Sequence, residues 1–260
     1  MILDEILVAK AEEVEAAKDR VPLAELENRV RNYLPDRSFR KALQRLGTLT
    51  LIAELKRKSP SKGMLRERFD PVSLAQQLQE AGAHALSVLT DERFFGGSLE
   101  FLRDVKQFTE LPVLRKDFII DPYQVYEAAS YQADAVLLIV QILEEPQLIE
   151  CLQAADHVGL DALVEVHSAA ELETALRVGA GVIGINQRDL KTFTMQPEIA
   201  ATLIPKIPTG KVIVVESGIR SREELRQLKA LGVHAVLIGE SLMTASDPAA
   251  KVRELFDGIW

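Results

Sequence analysis

Two kinds of apolar patterning alternate along the chain. Four times a stretch with helical spacing ends at a glycine and a short β-branched run follows: EAGAHALSVL at Gly82, HVGLDALVEV at Gly159, RVGAGVIGI at Gly179 and ALGVHAVLIG at Gly232. Glycine suits the left-handed residue that closes a helix, so each junction predicts a helix stop and then a strand. The helix starts agree. Asp70 before Pro71 joins an N-cap to a first-turn proline, and Ser168 with Glu171 and Ser221 with Glu224 have the spacing of a capping box.

Eight apolar runs qualify as strands, at 49–56, 85–90, 113–116, 135–140, 162–166, 182–186, 212–216 and 235–239. Neighbouring runs begin about 20 to 35 residues apart, which leaves room for one crossover helix each, as parallel βαβ units require. Eight such units predict an α/β fold, the (β/α)8 TIM barrel. A doubly wound open sheet competes, but it calls for a glycine-rich dinucleotide fingerprint after its first strand, and LIAELKRKSPSKG contains no G-x-G-x-x-G. Ile2, Leu3, Ile6, Leu7 and Val14 recur at helical spacing before the first strand, and SFRKALQR at 38–45 belongs to the same segment. Residues 1–48 are therefore expected as an N-terminal helical extension packed on a barrel of residues 49–260, the whole forming one structural domain.

The strand ends are unusually polar. The first carries Glu54 and Lys56, the third Lys116 and Asp117, the fifth Glu165 and His167, the sixth Asn186 and Arg188, and the seventh Glu216 and Ser217. Active sites of such barrels lie at these C-terminal ends. Strand alternation gives Glu54 and Lys56 one face, and likewise Glu165 and His167. A structural ion pair at the rim accounts for any one pair taken alone; the repetition over several strands points to chemistry. Burial pulls a lysine toward neutrality while a nearby glutamate holds it charged, so a ring of both supplies a proton donor and a proton acceptor. Acid–base chemistry on a small molecule is the expectation.

The last two strands add a second signal. VVESGIR sets Ser217 and Gly218 after the seventh strand, and LIGESLM sets Gly239, Glu240 and Ser241 after the eighth. Phosphate sites of these barrels are frequently built from those two loops. Ser59 and Ser61 can add hydroxyls, and Lys58 and Lys62 charge, unless KRKSPSKG is simply a solvated basic turn. Phe95 and Phe118 fall in loops beside the mouth, where they can line a slot for an aromatic ring or fill core.

The formal net charge of −8 argues against general affinity for nucleic acid or anionic membrane, so an anionic ligand must be held by local charge. Cys151 is the single cysteine; no intramolecular disulfide can form, and cytoplasm is the expected compartment. The N-terminus lacks a basic n-region followed by an apolar run, and no stretch has the length of a membrane span. No His, Cys or carboxylate spacing matches a metal motif, so neither metal nor cofactor is expected. His84 and His234, matched between glycine and strand at the far end of the barrel, are expected to pack only. His157 is expected near a helix end, and Cys151 as a small buried helical residue.

Taken in order, ILDEILVAKAEEV, IAELKRKSPSKG, SVLTDERFFGGS, VLRKDFIID, ALVEVH, IGINQRDL, VVESGI and LIGESLM resemble the indole-3-glycerol phosphate synthase family over almost the whole chain. One departure is Gly96, where the family carries a bulkier polar residue. The resemblance implies a phosphorylated substrate, 1-(2-carboxyphenylamino)-1-deoxyribulose 5-phosphate, which is cyclised, decarboxylated and dehydrated in tryptophan biosynthesis by a cofactor-free, plausibly monomeric carboxy-lyase. It implies Lys116 as general acid for ring closure and Glu165 as the carboxylate that stabilises developing positive charge or shuttles protons. Glu54 and Lys56 would serve binding and the final dehydration, with Asn186 orienting the substrate. Ser217, Gly218, Gly239 and the Glu240 amide would take the phosphate with Ser59 and Lys58 nearby, Phe95 and Phe118 the ring, and Arg188 the carboxylate, with Glu216 among the binding residues. The residues alone leave open a Schiff-base lyase at Lys116 or Lys56, an isomerase, or a sugar-phosphate-binding barrel without turnover.

Overall fold

The computed structural model describes residues 2–31, 33, 35–45, 47–192 and 194–260. Among the described residues there are ten strands: β1 (Thr50–Leu55), β2 (Lys58–Ser59), β3 (Gly63–Met64), β4 (Ala85–Leu89), β5 (Val113–Lys116), β6 (Ala135–Ile139), β7 (Asp161–Val166), β8 (Val182–Asn186), β9 (Val212–Glu216) and β10 (Ala235–Ile238). All but β2 and β3 close into a parallel barrel in the order β1-β10-β9-β8-β7-β6-β5-β4. β2 and β3 pair antiparallel in the loop after β1, where the sequence pattern shows only a basic turn.

The four junction glycines all take left-handed backbone, with φ of 100° at Gly82, 75° at Gly159, 86° at Gly179 and 81° at Gly232. Asp70 caps the helix Pro71–Glu80 by accepting from the Val72 and Ser73 amides. Ser221 and Glu224 form the full capping box. Ser168 caps its helix alone: Glu171 accepts from the His167 amide instead of completing a box. Several strand ends differ from the apolar runs. Lys56 lies just beyond β1, Val140 opens a 3-10 turn, and Gly239 becomes the N-cap of the helix Glu240–Met243.

Inward side chains stack in layers contributed by alternate strands, the packing of this barrel type. Ile52, Leu114, Leu163 and Val214 belong to the interior cluster; two residues further along the same four strands stand Glu54, Lys116, Glu165 and Glu216. The topmost closed layer is thus made of charged residues, and the apolar layers below support it.

Among the described residues, three helices precede β1: α1 (Ile2–Arg20), α2 (Leu23–Val30) and α3 (Phe39–Leu43). Phe39 and Leu43 of α3 join the interior cluster, and the Thr50 hydroxyl at the start of β1 donates to the Leu43 carbonyl, so α3 stoppers the N-terminal end. α1 covers part of the opposite end: Leu3 and Ile6 cluster with Phe118, which follows β5. Tyr123 donates its hydroxyl to the Ala17 and Val21 carbonyls at 2.9 Å each and packs with Leu26 of α2. His84 and His234 do more than pack. Each accepts a backbone N–H of a neighbouring strand through Nδ1, from Leu51 at 3.3 Å and Ile213 at 3.1 Å.

Candidate active site

The C-terminal mouth of the barrel opens into a cavity with about 1010 Å³ of empty volume. Its floor is the charged layer. Lys116 Nζ stands 3.0 Å from Glu165 Oε2 and 3.4 Å from Glu216 Oε2, and Lys56 Nζ pairs with Glu54 Oε1. Glu54, Glu165 and Glu216 are all buried, so their charges act at low dielectric. Burial pulls the Lys116 ammonium down, but Glu165, Glu216 and Glu54 outweigh it and hold its pKa above the ordinary lysine range.

The two carboxylates beside Lys116 behave oppositely. Burial alone would raise Glu165, yet Lys116, His167 and a hydrogen bond from Asn186 Nδ2 at 3.1 Å hold it below the usual carboxylate range. Beyond the Lys116 ammonium at 3.4 Å, neither oxygen of Glu216 meets a hydrogen-bonding group among the described residues. Burial, with the charges of Glu165 and Glu54, pushes Glu216 up to about 8 against the pull of Lys116. One layer therefore holds two carboxyl groups whose pKa values are pushed in opposite directions, the separation that lets neighbouring acids take different roles.

Above the floor, Phe95 and Phe118 form one wall, with ring centroids 6.0 Å apart. Across the mouth, Ser217 and Gly218 take consecutive left-handed conformations, φ 68° and 77°. Such backbone is costly for serine, and both residues line the cavity. Gly239, Glu240 and Ser241 line the adjoining edge. The Ser59 hydroxyl is buried without a partner and lines the same cavity, a donor waiting for an acceptor. Arg188 also lines it, with Nη2 3.3 Å from Glu240 Oε2.

A family model described as indole-3-glycerol phosphate synthase matches residues 3–255. The chain belongs to the indole-3-glycerol phosphate synthase family. A relative of that name from Caldanaerobacter subterraneus subsp. tengcongensis is 49% identical over 251 residues, covering 96% of each chain. One from Carboxydothermus hydrogenoformans is 46% identical over 263 residues, covering 98% of this chain and 99% of its own. Among solved structures, 3-hexulose-6-phosphate synthase from Salmonella typhimurium superposes with a TM-score of 0.65 at 15% identity over 81% of this chain and 98% of that one, a likeness of fold. As an indole-3-glycerol phosphate synthase family member the chain is a carboxy-lyase of tryptophan biosynthesis. Among the described residues, no helix is long and apolar enough to cross a membrane, and no group of His, Cys, Asp or Glu is arranged to hold a metal ion.

Of the residues singled out around the barrel mouth, His167 and Lys62 are not in the cavity lining, and neither is Lys58. It neighbours Ser59 on β2, and alternation sends the two side chains opposite ways; Lys58 Nζ donates to the Arg93 carbonyl at 2.8 Å instead. Gly96 closes the short helix Glu92–Phe95 in left-handed conformation. A Cβ there would lie 3.3 Å from the Lys58 side chain. Gln187 escaped sequence reasoning: its Nε2 donates to the Ser217 carbonyl at 2.9 Å and so steadies the strained pair. Its neighbour Asn186, at the strand end, was the only signal.

Proposed function

We propose that this chain converts 1-(2-carboxyphenylamino)-1-deoxyribulose 5-phosphate to indole-3-glycerol phosphate by acid–base catalysis in the cavity at the barrel mouth. The observation that carries the proposal is the floor layer, one partly buried ammonium among three carboxylates, with an aromatic wall on one side and the left-handed Ser217–Gly218 backbone on the other. The phosphate is taken by the Ser217–Gly218 and Gly239–Glu240 backbone with the Ser59 hydroxyl, while Lys58 contributes only more distant charge. The ring lies against Phe95 and Phe118, and Arg188 faces the carboxylate. Held at these points, the substrate bends its ketone over Lys116.

Lys116 then donates a proton to the ketone oxygen as the ring carbon bearing the carboxylate forms its bond to the ketone carbon. The C–CO2 bond breaks, and its electron pair restores the aromatic ring. Glu165, kept ionised, stabilises the positive charge that develops on the ring nitrogen, and Asn186 fixes its orientation. The new hydroxyl leaves as water after protonation from Lys56, while a carboxylate beside it, Glu54, takes the carbon-bound proton. Glu216 lies against Lys116 and completes the binding surface.

A Schiff base needs a neutral amine, and the three carboxylates hold Lys116 charged. The reading extends to a monomer in the cytoplasm, with residues 1–48 as an extension packed on the 49–260 barrel through α1 and α3. Lys116→Met tests the assignment. It should lower kcat by about 10²- to 10⁴-fold with the thermal transition retained, and a variant of normal turnover contradicts it.

A further inference from the structure

Lys10 lies on α1 and is only 1% exposed, one of the largest fully buried side chains of the protein. Its ammonium sits 2.9 Å from Asp117 Oδ1, 3.2 Å from Asp91 Oδ2 and 2.9 Å from Glu13 Oε2. Both barrel aspartates also hold backbone that carries a phenylalanine of the aromatic wall. Asp91 Oδ1 accepts from the Phe94 amide at 2.7 Å and the Phe95 amide at 3.1 Å, and so caps the four-residue helix Glu92–Phe95. Asp117 Oδ1 accepts from the Phe118 amide at 2.8 Å, and its Oδ2 accepts from Arg115 Nη2 at 3.1 Å.

Docking of α1 does not by itself explain a buried lysine. Leu3, Ile6, Val14 and Ala17 already bury the helix face, and an apolar side chain of similar volume would avoid the cost of desolvating an ammonium. What the ammonium adds is a bridge between two buried carboxylates that would otherwise repel. We infer that Lys10 is a positioning residue for the ring-binding end of the site: by holding Asp91 and Asp117 in fixed relation, it sets the separation of Phe95 and Phe118. The inference rests on the proposed synthase function, because it assigns that wall to the substrate's aromatic ring. It also makes the N-terminal extension part of the binding apparatus through one named contact.

The test compares the full-length chain with Lys10→Met, Asp91→Asn and Val14→Ala, reading kcat, KM and competitive inhibition by inorganic phosphate. Val14 clusters with Tyr123 and has no polar group with which to pair Asp91 or Asp117, so Val14→Ala loosens the same helix without removing the clamp. Lys10→Met should raise KM about ten-fold or more, leave the inhibition constant of phosphate within two-fold or so, and exceed the KM change of Val14→Ala. Asp91→Asn keeps an oxygen for the cap but drops the charge that meets Lys10; it should shift KM in the same direction and serves as the test if Lys10→Met does not fold. Unchanged KM in the folded variants, or KM and phosphate inhibition moving in parallel, overturns the inference. Absence of product from the unsubstituted chain would instead refute the synthase assignment.

Discussion

Glu216 Oε1 lies against the bare Cα of Gly184 on the adjacent strand, where a Cβ would overlap it and would also come within 3.1 Å of Leu163 Cδ1. Glu54 stands in the same relation to Gly239. Each carboxylate of the floor that leans across a neighbouring strand thus does so over a glycine. Close approach, not a special backbone conformation, is what requires glycine at Gly184.

Gly184→Ala should therefore displace the Glu216 carboxyl from Lys116. The expected result is a folded protein destabilised by about 1–3 kcal/mol, with kcat lowered about ten- to hundred-fold. Denaturant melts and steady-state turnover check both. Full activity in this variant would mean that Glu216 need not sit beside Lys116.

Glu216 should also leave its mark on pH dependence. Its folded-state value is raised from 4.5 to about 8 by burial and by Glu165 and Glu54. The stability this contributes is fully present below 4.5 and is lost as pH rises through about 8. The expected outcome is that Glu216→Gln removes a loss of thermal stability over that window, together with a decline in kcat/KM near its upper end. Parallel profiles for the two proteins would contradict a raised Glu216 pKa.

At the other end of the barrel the sign reverses. Burial, with the Arg45 charge, lowers His84 from 6.5 to about 4, so its neutral ring can accept from Leu51 N–H. The stability involved is present above 6.5 and lost as pH falls through about 4. His84→Gln, which keeps an acceptor but cannot titrate, should show a shallower fall in melting temperature between those limits; equal slopes would rule His84 out as the cause.

The barrel was legible in the sequence because its signals are local. A left-handed glycine after a helix and a β-branched run after that glycine need no knowledge of neighbours, and Gly82, Gly159, Gly179 and Gly232 all adopt the expected conformation. The polar strand ends were legible for the same reason. What was not legible depends on which strand stands beside which. Gly184 reads as an ordinary strand glycine until Glu216 is seen to lean over it. Lys10 reads as a solvated lysine on an amphipathic helix until α1 sets it over Asp91 and Asp117. Lys58 and Ser59 are adjacent basic-loop residues in sequence, and only the β2–β3 pairing sends one into the cavity and the other away.

The most direct measurement is product formation: purified protein with 1-(2-carboxyphenylamino)-1-deoxyribulose 5-phosphate and a metal chelator, followed by indole fluorescence. Fluorescence that rises with turnover under chelation is the predicted result, since the floor layer supplies the acid and the base from side chains alone. Folded protein that binds the substrate but yields no indole product would contradict the account at its centre.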